Sequence, residues 1–255
     1  MDTSACRTIL IPGVACLKSE SWLAIDTATE IASVAIRAGG QTIARSVRGA
    51  RTHAAQILPL VQQVLALARL SLEQIAGVVV GDGPGSFTGL RIGWAAAKGL
   101  VHERQLPLIT IPSLLAAAHA AGVETVAACY DALRGQVFGA IYAFAADRVE
   151  TLVAPGLFTI AELASAAPRF PRPMLAVGDG AERYRDEVLS WTGRAPVGLD
   201  ALPPLAGSLL ALVSYDGARR GIGDPSVAEP VYGRPAEAQV KWEARYGRPL
   251  PHSSR

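Results

Sequence analysis

Gly77-Val78-Val79-Val80-Gly81-Asp82-Gly83-Pro84-Gly85-Ser86-Phe87-Thr88-Gly89-Leu90-Arg91-Ile92-Gly93 is the stretch that decides how this chain folds. Its first five residues read as a buried strand, the Gly-Pro-Gly as a tight loop, and the residues from Thr88 to about His102 as a helix. A strand that turns through such a loop straight into a helix leaves several backbone N–H groups unpaired at the helix start. Those donors and the helix dipole favour an anion or a partner's carboxylate there, with Gly85 and Ser86 as contacts. Ser86 or Thr88 capping its own helix is the competing reading, and local chemistry leaves both open.

Gly89, Gly93 and Ala97 recur every four residues in that helix and share one face nearly free of side chains. Glycine inside a helix costs about 0.5–1 kcal/mol relative to alanine, so close approach of another backbone is expected to offset it. That backbone belongs either to the chain's own sheet or to a second subunit. If it is a second subunit, Gly93→Leu leaves the monomer folded and weakens pairing.

Outward from the loop, Trp22 to Asp26, Ile31 to Arg37 and Gln41 to Val47 read as an antiparallel meander. From Thr52 to about Leu70, the residues Ala54, Ile57, Leu58, Val61, Val64, Leu65 and Ala68 follow helical spacing. Ser71-Leu72-Glu73-Gln74 reads as a capped turn, and Leu106–Ile111 as a strand parallel to Gly77–Asp82. Pro112-Ser113 opens an alanine-rich helix at a lobe boundary. Beyond it come a hairpin (Thr125–Asp131, Gln136–Ala145), strand Val149–Val153, a helix near Ile160–Ala166, strand Met174–Val177, and helices near Ala181–Trp191 and Leu205–Arg219. The expected organisation is an extension over 1–20, a first lobe over 21–112, a second, smaller lobe over 113–232 and a basic tail over 233–255. Each lobe starts from a hairpin and continues through α/β units, which points to an α/β fold of duplicated actin-like ATPase type.

The chain of 255 residues is half hydrophobic and only 18% charged, so a substantial core is possible and general disorder is excluded. A net charge of +2 is too small to define a nucleic-acid surface by itself. The residues from Val231 onward hold five basic groups against two acidic ones, a tail that either touches phosphates or is simply solvated. Cys6, Cys16 and Cys129 have neither disulfide nor metal-ligand spacing, as expected of a reducing cytoplasm. The apolar stretch Thr8–Cys16 is short and broken by Pro12, so residues 1–20 read as a disordered extension rather than a leader.

Asp26, Asp82 and Asp131 stand near strand ends, where an actin-like fold would gather carboxylates around a nucleotide's metal. Asp26 is followed by Thr27-Ala28-Thr29-Glu30, with no glycine to let the backbone close on a phosphate, and Glu30 adds charge of the wrong sign. Asp26 therefore reads as a turn residue capping local N–H groups. None of the four histidines pairs at metal-ligand spacing. Ser86 lacks the context of a nucleophile elbow, and Cys129 reads as a small buried hydrophobe. Gly178-Asp179-Gly180 is either an adenosine loop or a tight turn.

The loop and helix GPGSFTGLRIGWAAAKGL resemble the signature of the TsaB (YeaZ-like) family. So do Leu23 to Ile36, His53 to Leu60, Ala228-Glu229-Pro230-Val231-Tyr232 and Ala128 to Phe138, the last with Leu133 as a departure from a DARRGEVY-type segment. The motifs run in family order over most of the chain. The resemblance implies a two-lobed actin-like (ASKHA, ribonuclease H-like) fold. It further implies a non-catalytic subunit of the machinery that places threonylcarbamoyl on N6 of tRNA adenosine 37. Such a subunit would pair with the catalytic paralogue TsaD through Thr52–Leu70 and Thr88–His102, with Ile57, Val61, Leu65, Gly89, Arg91, Gly93, Trp94 and Ala97 as the contact residues. The paralogue's H-x-x-x-H metal pair is missing here. ATP and metal would belong to partners, TsaE being the ATPase, and homodimers would form when the partner is absent. Asp26, Gly85, Ser86 and Asp131 remain as anion or nucleotide contacts. An autonomous actin-like ATPase or small-molecule kinase is the alternative.

Overall fold

Side-chain alternation along the strands sets the layers. In β1 (Ser21–Asp26), Leu23 and Ile25 point to one face while Trp22 and Ala24 point to the other. β4 (Ile75–Gly81) repeats this with Val78 and Val80 against Val79. The computed structural model describes residues 21–49, 53–167, 175–219, 225–234, 242 and 245–247; the expected extension over 1–20 and most of the tail beyond 234 lie outside the described residues.

β1, β2 (Ile31–Ala38) and β3 (Gln41–Arg48) form the expected meander, and β4 and β5 (Leu108–Ile111) add in parallel, giving the order β3-β2-β1-β4-β5. Helices α1 (His53–Ala68) and α2 (Phe87–His102) cover the outer face. The second sheet, built from β6 (Thr125–Asp131), β7 (Val137–Ala145), β8 (Arg148–Phe158) and β9 (Leu175–Val177), has the order β8-β7-β6-β9. On its outer face lie α4 (Ile160–Ala166), α5 (Asp179–Arg183) and α6 (Arg185–Thr192). A hairpin, a third strand, a helix and a parallel fourth strand occur in the same succession in both lobes. This is the duplicated actin-like arrangement.

Two helices fill the space between the sheets. α3 (Ser113–Ala120) is buried from Ser113 through Ala118, and α7 (Leu205–Leu212) buries Leu205, Ala206, Leu209, Leu210 and Leu212. Both are apolar nearly all round, as a helix enclosed on all sides must be. They pack on each other and join the inner faces of both sheets in one core. The molecule is thus layered α1/α2, first sheet, α3/α7, second sheet, α4–α6.

Three expectations are corrected. The terminal helix was assigned to the second lobe, but α7 lies on β1 and β2 and ends at Leu212; the Ala206 N–H donates to Ser33 Oγ of β2 at 3.0 Å. β8 runs five residues past its expected end at Val153, through Pro155 and Gly156 to Phe158. As an edge strand, β8 tolerates a proline with no N–H to donate, and Gly156 pairs with Gly139 of β7. The helix near Ala181–Trp191 is split at Tyr184 into α5 and α6.

Because α7 contributes to a core shared by both lobes, Leu209→Ala should destabilise the chain by about 2–5 kcal/mol. Chemical denaturation followed by probes in each lobe should show the two transitions shifting together.

Candidate functional site at the signature loop and the helix pair

The end of β1 is turned by its own carboxylate. Asp26 is fully buried, and its Oδ1 accepts from the Ala28 N–H at 3.2 Å, the turn-capping role expected of it. Its Oδ2 accepts from Ser113 Oγ at 2.7 Å. Ser113 Oγ also accepts from the Gly83 N–H at 3.3 Å, and Tyr130 Oη donates to the Ser113 carbonyl at 2.8 Å. One buried cluster therefore joins β1, the signature loop, α3 and β6. Burial pushes the Asp26 carboxyl above the ordinary carboxylate value, and the hydrogen bonds from Ser113 and Ala28 only partly offset this. Glu30, at the far end of the same turn, forms an ion pair with Arg48, which also reaches Asp200 of the second lobe.

The signature loop closes on this turn. The Ser86 N–H donates to the Ala28 carbonyl at 2.7 Å, Ser86 Oγ accepts from the Gly89 N–H at 3.2 Å, and Thr27 Oγ1 donates to the Gly89 carbonyl at 2.8 Å. A Cβ on Gly85 or Gly89 would collide with the Ala28 or Thr27 carbonyl oxygen, and one on Gly93 with Thr27 Oγ1. Of the readings left open, the structure has self-capping by Ser86 and packing of the small-residue face against the chain's own β1–β2 turn. The N–H groups of Ser86 and Gly89 are committed to acceptors in this chain. A phosphate does not fit at Gly85 and Ser86 unless the Thr27-Ala28 turn moves away.

The expected partner-contact set is corrected for the same reason. Ile57, Val61, Leu65, Gly89, Gly93, Trp94 and Ala97 all face the first-lobe core and are buried within this chain. Arg91 alone is exposed; its Nε donates to Tyr232 Oη at 3.1 Å, and its guanidinium lies 4.2 Å from the Phe87 ring centroid. The outward faces are the complementary ones. On α1 they carry Ala54, Ala55, Leu58, Pro59, Ala66 and Leu67, and on α2 Phe87, Ala95 and Gly99. Leu58 is 53% exposed and Leu67 51% exposed, on a sixteen-residue surface helix with no Asp, Glu, Lys or Arg. That missing charge was visible in the sequence, since an amphipathic helix facing water normally carries charge on its solvent side.

The carboxylates do not gather around an open centre. Asp131 accepts from Arg183 Nη1 at 2.8 Å and from the Leu133 N–H at 3.0 Å. Asp179 accepts from the N–H groups of Asp131 at 3.2 Å and Gly180 at 3.0 Å, while burial raises its carboxyl above the usual range. Gly178-Asp179-Gly180 is thus the passage from β9 into α5, packed on the end of β6. The Cys129 thiol is fully buried and pushed up to about 12 by its burial, consistent with a small core residue. His53 Nε2 donates to the Glu30 carbonyl at 3.1 Å, and His119 packs between Phe144 and Tyr215. Among the described residues, no group of three or more His, Cys, Asp or Glu is placed to hold a metal ion, and no helix is long and apolar enough to cross a membrane.

Gly93→Leu should therefore damage the monomer rather than spare it. The overpacking against Thr27 should cost about 1–3 kcal/mol or more, read as a lower denaturation midpoint of the isolated chain. Asp26, with its folded-state value raised, gives stability that is complete below the unfolded value and is lost as pH rises through the folded one. Asp179 acts in the same direction. Asp26→Asn should remove its part of that decline, so the variant gains on the wild type as pH is raised, measured by urea unfolding at a series of pH values.

A family model described as "TsaD: tRNA N6-adenosine threonylcarbamoyltransferase" matches residues 46–185, more than half of the chain. The "tRNA threonylcarbamoyladenosine biosynthesis protein TsaB" of Escherichia coli (strain K12) is 43% identical over 124 residues, 47% of this chain and 54% of that protein. In that alignment the chain spans about half the length of its relative. The protein of the same name from Bacillus subtilis (strain 168) is 28% identical over 224 residues, 86% of this chain and 96% of that protein. Among solved structures, YeaZ from Pseudomonas aeruginosa superposes with a TM-score of 0.68 at 26% identity, covering 84% of this chain and 99% of that one. The family-model match over more than half of the chain, the likeness end to end with the Bacillus protein and the two-lobed fold shared with YeaZ together establish that this chain belongs to the TsaB (YeaZ-like) family.

Proposed function

We propose that this chain is a non-catalytic scaffold and activator in the complex that transfers threonylcarbamoyl to N6 of adenosine 37 in tRNAs reading codons that start with A. It acts by pairing with a TsaD-type catalytic paralogue through the outward faces of α1 and α2. The names of its relatives supply the pathway. One observation carries the pairing: α1 turns Ala55, Leu58, Pro59 and Ala66 to solvent with no charged residue along its whole length. Next to it α2 offers Ala95 and Gly99, where little side chain holds off a second helix. Two related lobes meeting there would bury on the order of 1,200–2,000 Å². Without the paralogue, the same apolar face favours a homodimer.

On this reading ATP and metal belong to the partners, with TsaE as the ATPase. The tRNA is engaged through the assembled complex, and the protein works in the cytoplasm. The closing of the signature loop on Thr27 and Ala28 favours this over an autonomous ATPase or small-molecule kinase, because the Ser86 and Gly89 N–H groups at the start of α2 already have acceptors within the chain.

Copurification with the catalytic paralogue, then modification assays omitting each subunit in turn, tests the proposal. Modification should require both chains, and the lone chain should neither turn over Mg-ATP nor modify tRNA. Leu58→Glu combined with Ala95→Glu should weaken pairing at least tenfold, about 1.4 kcal/mol, with an unchanged denaturation midpoint. Wild-type affinity in that double variant would move the interface elsewhere.

A further inference from the structure

We propose that the C-terminal segment Ser226–Arg234 is an interlobe latch. It ties the first lobe's signature loop and α2 to the turn between β6 and β7, and it holds that turn in a strained conformation. The segment has no regular secondary structure of its own, yet it is anchored along its length. Lys98 Nζ donates to the Ser226 carbonyl at 3.1 Å, and Ala228 packs on the core beneath α1 and α2. The Val231 N–H donates to the Asp82 carbonyl at 2.7 Å, and the Tyr232 ring lies 4.6 Å from that of Phe87. These contacts are all with the first lobe. Two residues further on the chain crosses: Arg234 Nη2 donates to Gln136 Oε1 at 2.8 Å, immediately before β7.

Gly233 is the crossing point. It has a φ of +70°, and a Cβ there would lie 2.7 Å from Pro84 Cβ of the first lobe and 2.9 Å from the Phe138 ring of the second. Only glycine combines that backbone angle with so narrow a gap between the lobes.

What the latch holds is unusual. Leu133, Arg134 and Gly135 follow one another with φ of +62°, +54° and +79°, and Leu133 is 58% exposed. Two consecutive non-glycine residues in the left-handed region persist only where their surroundings over-determine them. Here Asp131, fixed by Arg183, holds the Leu133 N–H on one side. On the other, Gln136 closes the turn through its N–H, which donates to the Leu133 carbonyl at 3.1 Å, and its carbonyl, which accepts from the Ala132 N–H at 3.0 Å, while Arg234 holds its side chain. Releasing the strap frees the Gln136 side chain, the turn's tie to the first lobe, and lets the turn relax together with the lobe spacing. The latch is a property of the isolated chain, so it stands or falls separately from the docking face.

Hydrogen exchange on the full chain, comparing wild type with Arg234→Ala and Tyr232→Ala, tests the proposal. Amides of residues 131–138 should exchange at least tenfold faster in both variants while those of β2 and β4 stay unchanged. Spin labels at Leu67 and Leu189, on the outer helices of the two lobes, should give a broadened distance distribution in the same variants. Faster exchange confined to residues 226–234, with the turn and the label distance unchanged, would make the strap a passive covering and overturn the proposal. Gly233→Val should have the same effect as the other two; if it also loosens β4, the result in Arg234→Ala decides.

Discussion

The turn Thr27-Ala28 and the start of α2 lie so close that no side chain fits between them. From that contact much of the first lobe follows. It requires glycine at 85, 89 and 93, it uses the N–H groups of Ser86 and Gly89 as internal donors, and it turns Asp26 inward to Ser113. A strand-loop-helix unit is well suited to hold a phosphate because its helix start has spare donors. In this molecule the Ser86 N–H holds the chain's own Ala28 carbonyl and the Gly89 N–H the Ser86 hydroxyl. The carboxylate at the end of β1 serves the junction of the lobes.

That junction is made of aliphatic and aromatic side chains and one buried polar cluster. α3 and α7 carry apolar residues on nearly every side, so neither has a face to give to solvent, and each needs both sheets to be covered. The lobes are therefore halves of a single core, not domains joined by a linker. The Asp26–Ser113–Tyr130 cluster sits within it. It is acceptable there because the carboxylate and hydroxyls find partners in one another and in the backbone. Arg48 with Asp200, and the strap with Gln136, add contacts between the halves at the surface.

Beside that shared core, the outer face of α1 stands out. Its buried positions are those any helix on a sheet would bury. Its exposed positions carry Ala, Leu, Pro and Gln where water would favour charge. A surface of this kind gains free energy when it is covered.

Period-two alternation, the Gly-Pro-Gly turn and the three-and-four spacing are properties of local sequence. The meander, β4, α1, α2, the β6–β7 hairpin and α4 could accordingly be read from residue order to within a few positions, and so could the turn-capping role of Asp26. The repeated element order pointed to the duplicated fold, and the family resemblance added to it. What residue order could not supply was which surface each helix buries against what. Gly89, Gly93 and Ala97 announce that something approaches closely; that the neighbour is Thr27, sixty-odd residues earlier, depends on how β1 and α2 are brought together. For the same reason residue order alone did not show that Ile57, Val61 and Leu65 are buried in the chain's own core, that α7 packs on the first sheet, or that residues 226–234 cross the signature loop. Local preference specifies an element and its apolar stripe, whereas the partner of that stripe is selected by long-range packing, which only the folded chain contains.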